Sequence, residues 1–322
     1  MKKFLSLILC VIMLFSVCAL AGCGAEPVEE KAAANVKFGA GAVGSLKVSD
    51  ATDKKGPVGT LEMSYATVLV DADGKITACA LDAMKMETEW KDGKFVPVQD
   101  KDLKSKYEQK DAYNMVAWGG SVAEWYAQAD TLETLIIGKK LDEVKALVVE
   151  GYKPNADVQA AGCTIAIGDL VKAVENAYNN AKTEVAADAT LSIAGHGTQK
   201  IAEIIAKYDG QNKVEAYMSA AAKDKDGKIL AIASDCMMGD FRANAEGKVE
   251  MVQCDPARTK RQQGDEYNMV DYGGAKAEWY VQADSFDKTC IGKTAAEIAA
   301  ITAEAAGCTI TVDGFVAAAS KL

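Results

Sequence analysis

The sequence contains few of the residues on which common active sites depend. Among its 322 residues there is one histidine, His196, and only 7% are aromatic. A single imidazole excludes histidine-rich zinc sites and makes any Ser-His-Asp or Cys-His arrangement depend on that one residue. The nine cysteines include no Cys-x-x-Cys pair, which argues against zinc ribbons, thioredoxin-type redox sites and c-type haem attachment.

Positive charge is also scarce. The chain has 36 lysines and arginines against 46 acidic residues, a formal charge of −10. A protein with this balance has no electrostatic basis for gripping the phosphate backbone of nucleic acid. The 49% of apolar and 25% of charged residues are typical of a folded chain, and this length usually corresponds to two domains.

The one long apolar run lies at the N-terminus. Lys2 and Lys3 precede an almost wholly apolar stretch at residues 4–19, and Leu20-Ala21-Gly22-Cys23 follows. This order is typical of a secretory signal peptide, and the stretch is too short for a convincing transmembrane helix. The tetrapeptide is similar to a bacterial lipobox, in which the cysteine becomes the acylated first residue. The alternative is an ordinary signal peptide that ends in cysteine.

We therefore predict a signal peptide over residues 1–22 and a lipidated N-terminus with a flexible tether over residues 23–35. The tether is rich in alanine, glutamate and proline and shows no apolar period. The lipid on Cys23 would anchor the protein to the extracytoplasmic face of a bacterial cell membrane. Loss of Lys2 and Lys3 would change the net charge from −10 to −12.

Six cysteines follow Cys23, and their spacing pairs none of them. Free thiols would suit an anaerobic, disulfide-poor habitat, whereas up to three disulfides would suit an oxidising one. The sequence leaves both states open. The six residues are Cys79, Cys163, Cys236, Cys254, Cys290 and Cys308.

The most informative feature is an internal repeat. Residues 113–116 (Tyr-Asn-Met-Val) recur at 267–270, an offset of 154, and identities continue without a gap for more than twenty residues. A period this long indicates a duplicated domain rather than a solenoid. The predicted bounds are 36–181 for repeat domain 1, 182–188 for a linker and 189–322 for repeat domain 2.

Turn signals predict an antiparallel meander at the start of each repeat. Residues 67–70 and 76–79 flank Asp73-Gly74, a dipeptide whose positive φ suits a tight hairpin. Asp92-Gly93 offers a second turn of the same kind. The second repeat carries the corresponding dipeptide at Asp226-Gly227.

Helices are predicted after the meander. Trp125, Ala129, Leu132 and Ile136 form one helical stripe, with Gln128 off it. Further along, the pattern predicts a short helix at 141–148, a strand at 163–167 and a last helix after Gly168-Asp169. The predicted fold class is α+β, with two homologous tandem domains. Each would contain an antiparallel meander, packed helices and a C-terminal strand-helix unit.

A glycine-rich segment matches the dinucleotide-binding fingerprint. Residues 39–44 read Gly-Ala-Gly-Ala-Val-Gly, but the polar residues 45–57 predict no helix to receive a pyrophosphate. Glycine at a bulged strand end is the better interpretation. Alignment of the repeats sets Gly195-His196-Gly197 against residues 39–41, so His196 matches Ala40. A catalytic histidine would then exist in one repeat only.

Each repeat has an aromatic residue followed by two glycines. Trp118-Gly119-Gly120 and Tyr272-Gly273-Gly274 precede the helices at Trp125 and Trp279. Such glycines could leave backbone N–H groups open to an anion, and the aromatic could stack on a planar ring. The alternative is a tight turn that packs Trp118 into the core.

The segment at residues 161–165 (Ala-Gly-Cys-Thr-Ile) and its copy at 306–310 carry a family resemblance. They resemble the C-terminal segment of FMN-binding domains of the Na⁺-pumping quinone reductase and Rnf type. In that family a Ser/Thr-Gly-Ala-Thr stretch precedes a helix, and its last threonine can be esterified to the flavin phosphate. Thr164 and Thr309 hold this threonine position. Two such units behind a lipobox are similar to flavin-carrying surface lipoproteins of extracellular electron transfer.

The resemblance implies FMN as a cofactor, with the threonines, the preceding Gly162 and Gly307, and the aromatic-Gly-Gly triplets as the binding residues. Ala161 and Ala306 replace the usual Ser or Thr, and cysteine replaces the usual alanine at the third position. A flavin transferase reads these surroundings, so the resemblance does not extend to covalent attachment. From the residues alone, Thr164 is an outward-facing strand residue.

Two functions follow as expectations. The first is a membrane-anchored FMN-binding or FMN-binding-derived lipoprotein in electron transfer, with a redox partner in the membrane or envelope. The alternative is a non-enzymatic surface lipoprotein that binds a ligand or a protein and has lost the cofactor. A hydrolase is disfavoured, because the two repeats share no pair of nucleophile and base.

Overall fold

The structure, a computed structural model, describes residues 35–203, 205 and 207–322. The predicted signal peptide, Cys23 and the tether up to residue 34 lie outside this range. Within it, all pairing between strands is antiparallel. The strands are β1 (Val36–Ser49), β2 (Val58–Val70), β3 (Ile76–Lys91), β4 (Lys94–Phe95), β5 (Val148–Val149), β6 (Lys153–Pro154), β7 (Thr183–Val185), β8 (Thr190–Ala202), β9 (Gly210–Lys223), β10 (Ile229–Ala243) and β11 (Val249–Met251).

Two large sheets contain most of these strands. The first has the order β4-β3-β2-β1-β7 and the second the order β11-β10-β9-β8, while β5 and β6 form a small separate hairpin. The helices lie mainly between and after the strands of each sheet. They are α1 (Lys106–Gln109), α2 (Met115–Gly119), α3 (Trp125–Ile136), α4 (Leu141–Lys145), α5 (Ala156–Ala160), α6 (Gly168–Asn179), α7 (Lys260–Gln263), α8 (Trp279–Cys290), α9 (Ala295–Ile298) and α10 (Asp313–Ala319). The α+β class with antiparallel sheets is thereby confirmed.

The described chain is arranged in four layers. The inner faces of the two sheets share one core, to which the first sheet contributes residues such as Leu61 and Met86 and the second Val214 and Phe241. Helices α3 and α6 cover the outer face of the first sheet, and α8 and α10 cover that of the second. The described residues form one compact unit, because the inner face of each sheet is buried against the other.

The segment predicted as a linker takes part in the first sheet. Thr183, Glu184 and Val185 form β7 and pair with residues 36–38 of β1. The chain therefore passes from one sheet to the other through an ordered edge strand.

The predicted hairpins are confirmed. The β2–β3 turn places Gly74 at a φ of +76°, and the Asp71 side chain accepts hydrogen bonds from the N–H groups of Asp73 and Lys75. Asp92 and Gly93 both have positive φ at the β3–β4 turn, as a type I′ turn requires.

The predicted helical stripe is also confirmed. Trp125, Ala129, Leu132 and Ile136 are all buried on α3, which begins at Trp125. Gln128 differs from the prediction, because it is fully buried instead of lying off the stripe.

The strand predicted at residues 163–167, and with it the strand of the C-terminal strand-helix unit, is wrong. This segment pairs with no other strand among the described residues, and the same holds for its copy at 308–312. The expected alternation is present: Cys163, Ile165 and Ile167 are buried and Thr164 is exposed. The N–H groups of Thr164 and Ile165 bond to a side chain, Gln128, in place of a neighbouring strand.

The bulged strand end predicted at residues 39–44 is wrong as well. These residues lie inside β1, whose register with β2 is continuous. Gly39 and Gly41 face the backbone of α6 so closely that a Cβ at either position would collide with Ala177. Glycine is present here because helix and strand approach each other, and β1 continues where a dinucleotide fingerprint would need a helix.

Strand register also corrects the alignment of the histidine. His196 lies opposite Tyr217, which corresponds to Ser64 by the 153-residue offset of the hairpin turns. Ser64 lies opposite Val43. His196 therefore matches Val43 and not Ala40. Shared glycines had displaced the sequence alignment by three residues.

Candidate functional site

A buried glutamine holds the predicted flavin threonine of the first half of the chain, which is residues 36–181, the second half being residues 189–322. Gln128 Oε1 accepts hydrogen bonds from Thr164 N at 2.7 Å, Thr164 Oγ1 at 3.1 Å and Ile165 N at 3.2 Å. Gln128 Nε2 donates to Ala123 O and to Ser121 Oγ. One amide thus fixes the position of an exposed threonine hydroxyl.

The second half repeats this arrangement. Gln282 Oε1 accepts from Thr309 N at 2.8 Å, Thr309 Oγ1 at 3.0 Å and Ile310 N at 3.2 Å. Gln282 Nε2 donates to Ala277 O. Thr309 is exposed, as Thr164 is. The apolar stripe of the helix does not predict either glutamine as a buried residue. Both repeats nevertheless have glutamine at this position, 154 residues apart, and this identity could have indicated a shared role.

The same glutamines bring the predicted site segments together. Gln128 contacts Thr164, two residues after Gly162, and Ser121, directly after Gly120. Gly162 has a φ of +104° and Gly307 one of +66°, a conformation that glycine adopts readily. Both glycines thus direct the chain from a preceding turn into the threonine segment.

At the aromatic-Gly-Gly triplets, the open N–H groups of the first interpretation and the core-packed aromatic of the alternative are both wrong. Trp118 is 87% exposed and Tyr272 is 88% exposed, so neither packs into the core. Gly119 ends α2, and the N–H groups of Gly120 and Gly274 donate to carbonyls of their own turns. These two N–H groups are therefore not open to an anion.

Glutamates already occupy the turns around these triplets. Glu124 accepts from the N–H groups of Met115 and Val116, and Glu278 does the same for Met269 and Val270. The positive end of each turn is thus satisfied by a carboxylate of the chain itself.

Three carboxyl groups lie where α3 packs on β3, and the sequence patterns above do not predict them. They belong to Asp82 on β3 and to Asp130 and Glu133 on α3. Asp82 accepts a hydrogen bond from Tyr107 N, and Glu133 accepts one from Leu81 N at 2.7 Å. Burial raises the pKa of Asp82 to about 6 and that of Glu133 to about 7. The Tyr107 hydroxyl donates to Asp130 at 2.9 Å.

The second half has a corresponding group with an added cation. Asp235 accepts from Arg261 N and from Thr259 Oγ1. The Arg261 guanidinium donates to both Asp284 and Asp287. Burial raises the pKa of Asp287 to about 7, against the opposing effect of Arg261.

The offsets relate the two groups residue by residue. Asp82 corresponds to Asp235 by 153 residues, whereas the three later positions are related by 154. An acidic residue is retained at three of the four positions, and this retention is the signal that could have found them. The later pairs are Tyr107 with Arg261, Asp130 with Asp284 and Glu133 with Asp287.

A cleft of about 500 Å³ opens between the two halves. Its first wall is β1 at residues 39–42 with Tyr65 beside it, and its second is the C-terminal end of α6. The third wall comes from the second half. The polar residues of the last two walls are Asn176, Asn179, Asn180, Asp235, Arg261 and Gln262.

His196 stands apart from these groups. It is half-buried, and its pKa is lowered by burial and by the nearby Lys321. Among the described residues no hydrogen bond joins its side chain to a serine, cysteine or carboxylate. The six cysteines after Cys23 are all free thiols, and only Cys254 is not fully buried.

The described residues include no group of three or more His, Cys, Asp or Glu side chains arranged to hold a metal ion. None of the helices in the described ranges is both long and apolar enough to span a bilayer.

Comparison with known proteins adds no relative. No protein-family model, no curated protein and no solved structure matches this chain.

Proposed function

We propose that the protein is a lipid-anchored, extracytoplasmic flavin carrier built from two homologous FMN-binding-type domains. The carrying observation is the matched pair of exposed hydroxyls, Thr164 and Thr309, each bonded to a buried glutamine through the same three donors. A threonine of this kind is where the resembling family holds the flavin phosphate.

The residues at the two threonines fit FMN in one respect. The backbone N–H groups around Thr164 and Thr309 are already bonded to Gln128 and Gln282. They are not free to cradle a phosphate, whereas the hydroxyls reach solvent. Each hydroxyl can turn its hydrogen from the glutamine oxygen to a phosphate oxygen and so donate to the phosphate. The exposed Trp118 and Tyr272 offer faces for stacking.

When bound, the flavin would supply the redox chemistry, and the chain would position it. Gln128 and Gln282 hold the threonine segments in place by accepting hydrogen bonds from two backbone N–H groups each. A partner in the membrane or envelope would exchange electrons with the exposed cofactor.

The test is a titration of the purified protein with FMN, followed by the visible spectrum and by the quenching of FMN fluorescence. We expect up to two FMN molecules to bind per chain without a covalent bond. Thr164→Ala and Thr309→Ala should each remove one, and the double variant should carry none. Thr131→Ala is the matched control, because its hydroxyl is bonded within α3 to Ala127 O. A colourless protein that leaves FMN fluorescence unchanged would refute the proposal.

The second candidate is a ligand-binding lipoprotein that kept this architecture and lost the cofactor. The inter-half cleft favours it, since about 500 Å³ lies within the usual size of small-molecule sites. The two candidates differ in stoichiometry: the threonines offer two positions per chain and the cleft offers one.

A further inference from the structure

The wall that α6 contributes to the inter-half cleft presents hydrogen-bond acceptors. Asn176 Nδ2 donates to Ala42 O at 2.8 Å, and Asn180 Nδ2 donates to Ala40 O at 3.1 Å. Because β1 holds each NH₂ group, each amide oxygen points away from that strand. Among the described residues neither oxygen accepts a hydrogen bond, so both are available to a donor.

The position of these asparagines adds negative potential. Asn176 and Asn179 lie in the last turn of α6, a helix of 12 residues. The C-terminal end of a helix carries a partial negative charge from its last carbonyl groups. Cations are favoured there and anions are disfavoured.

The charged residues beside the cleft act in the same direction. Arg261 is its one lining cation in the described chain, and its guanidinium is already bonded to Ser234 O, Asp284 and Asp287. With Asp235, three carboxylates surround one guanidinium. An anionic solute would meet no free positive group and an excess of negative charge.

The corresponding place in the second half already holds an ammonium group. Lys321 corresponds to Asn176 by the 145-residue offset of the two threonine segments, and Gly195 corresponds to Ala42 by strand register. Lys321 Nζ lies 2.9 Å from Gly195 O and 2.6 Å from a carboxylate oxygen of Glu108. Lys321 therefore replaces the NH₂ group of Asn176 as donor to the strand carbonyl, and its side chain offers no acceptor oxygen.

We propose that the inter-half cleft binds one small organic solute through an ammonium group, at the acceptors of Asn176 and Asn180. This inference rests on the second candidate function and does not need flavin. There is one such site per chain, because Lys321 and Glu108 take the corresponding place in the other half.

The probes for the test are three four-carbon molecules that differ in their end groups. Titration calorimetry of the purified protein at constant ionic strength compares 1,4-diaminobutane, 1,4-butanediol and succinate. We expect the diamine to bind one per chain, the diol to bind about tenfold or more weakly by comparison, and succinate to give no heat of binding. Succinate binding as tightly as the diamine, or no saturable diamine binding, would overturn the proposal.

Asn179 provides the variant, because it is exposed and makes no side-chain hydrogen bond in the described chain. Asn179→Lys should weaken diamine binding by about tenfold or more. Ala160→Lys adds the same charge at an exposed residue outside the cleft and should leave binding unchanged. Equal losses in both variants would show a general charge effect and no site. The flavin proposal is tested separately, by FMN binding in the threonine variants. A failure of diamine binding can therefore be distinguished from a failure of FMN binding.

Discussion

The two halves of the molecule use the same buried acidic positions but balance them differently. In the first half Asp82 and Glu133 have no cation bonded to them, and Tyr107 offers only a neutral hydroxyl to Asp130. In the second half Arg261 stands in place of Tyr107 and bonds two carboxylates. In the first half, the buried carboxyl groups have raised pKa values and are bonded to backbone N–H groups. In the second half, an ion network around Arg261 is added.

The hydrogen bonds to two corresponding strand carbonyls, Ala42 O and Gly195 O, show a second difference of this kind. Ala42 O accepts from two neutral amides, Asn176 and Gln262, whereas the corresponding Gly195 O accepts from the charged Lys321. A shared backbone plan thus tolerates neutral or charged partners at the same place. Mutations at corresponding residues should separate the two solutions.

The largest effect is expected at Arg261. Arg261→Met would leave Asp287 and Asp235 buried without their cation, and we expect a loss of about 3–5 kcal/mol in the free energy of unfolding. Tyr107→Phe removes one neutral donor and should cost only about 1 kcal/mol. Urea denaturation at pH 8 measures both. Equal losses would contradict the contrast between the halves.

The next effect should be equal in both halves. Gln128→Leu and Gln282→Leu each remove the acceptor of three donors, and we expect each to cost about 2–3 kcal/mol. Hydrogen exchange should accelerate at the amides of Thr164 and Ile165 in the first variant and of Thr309 and Ile310 in the second. If only one variant responds, the two threonine sites are not equivalent.

A smaller effect concerns pH. The pKa of Glu133 is raised to about 7 by burial, so its folded form binds a proton more tightly than its unfolded form. Its contribution to stability is complete below about pH 4 and is lost as the pH rises to about 7, by about 3 kcal/mol. Glu133→Gln should flatten this decline and be more stable than the parent at pH 8.

Asp287→Asn is the matched variant for that prediction. The pKa of Asp287 is also raised to about 7, but the substitution removes a partner of Arg261. We therefore expect no gain of stability at pH 8. Urea denaturation from pH 5 to pH 8 compares the variants, and a gain in both would show that Arg261 does not distinguish the halves.

The smallest effect is expected at the hydrogen bonds to Ala42 O and Gly195 O. Lys321 and Glu108 are each about one-third exposed, so Lys321→Met should cost about 0.5 kcal/mol at low salt and nothing at about 1 M salt. Loss of the neutral amide in Asn176→Ala should not depend on salt. Denaturation at the two salt concentrations checks both, and a salt-dependent loss in Asn176→Ala would contradict the assignment.

Local patterns predicted the local structure well. Asp73-Gly74 predicted a hairpin because few dipeptides accept positive φ, and the spacing of Trp125, Ala129 and Leu132 predicted the buried face of α3. Both signals lie within a few residues of each other along the chain. The prediction of a strand at residues 163–167 was wrong, because no strand in the described chain pairs with this segment. Only the alternating burial on which the prediction rested is present.

The amino-acid sequence was sufficient for the α+β class, the hairpins, the main helices and the offsets that relate the two halves, since these depend on neighbouring residues or on direct comparison of segments. Tertiary contacts decided the rest. The face-to-face packing of the sheets, the burial of Gln128, the alignment of His196 with Val43 and the cleft beside α6 join residues far apart in sequence. Such contacts depend on the shape and charge of surfaces that meet only after folding, and no local pattern records them.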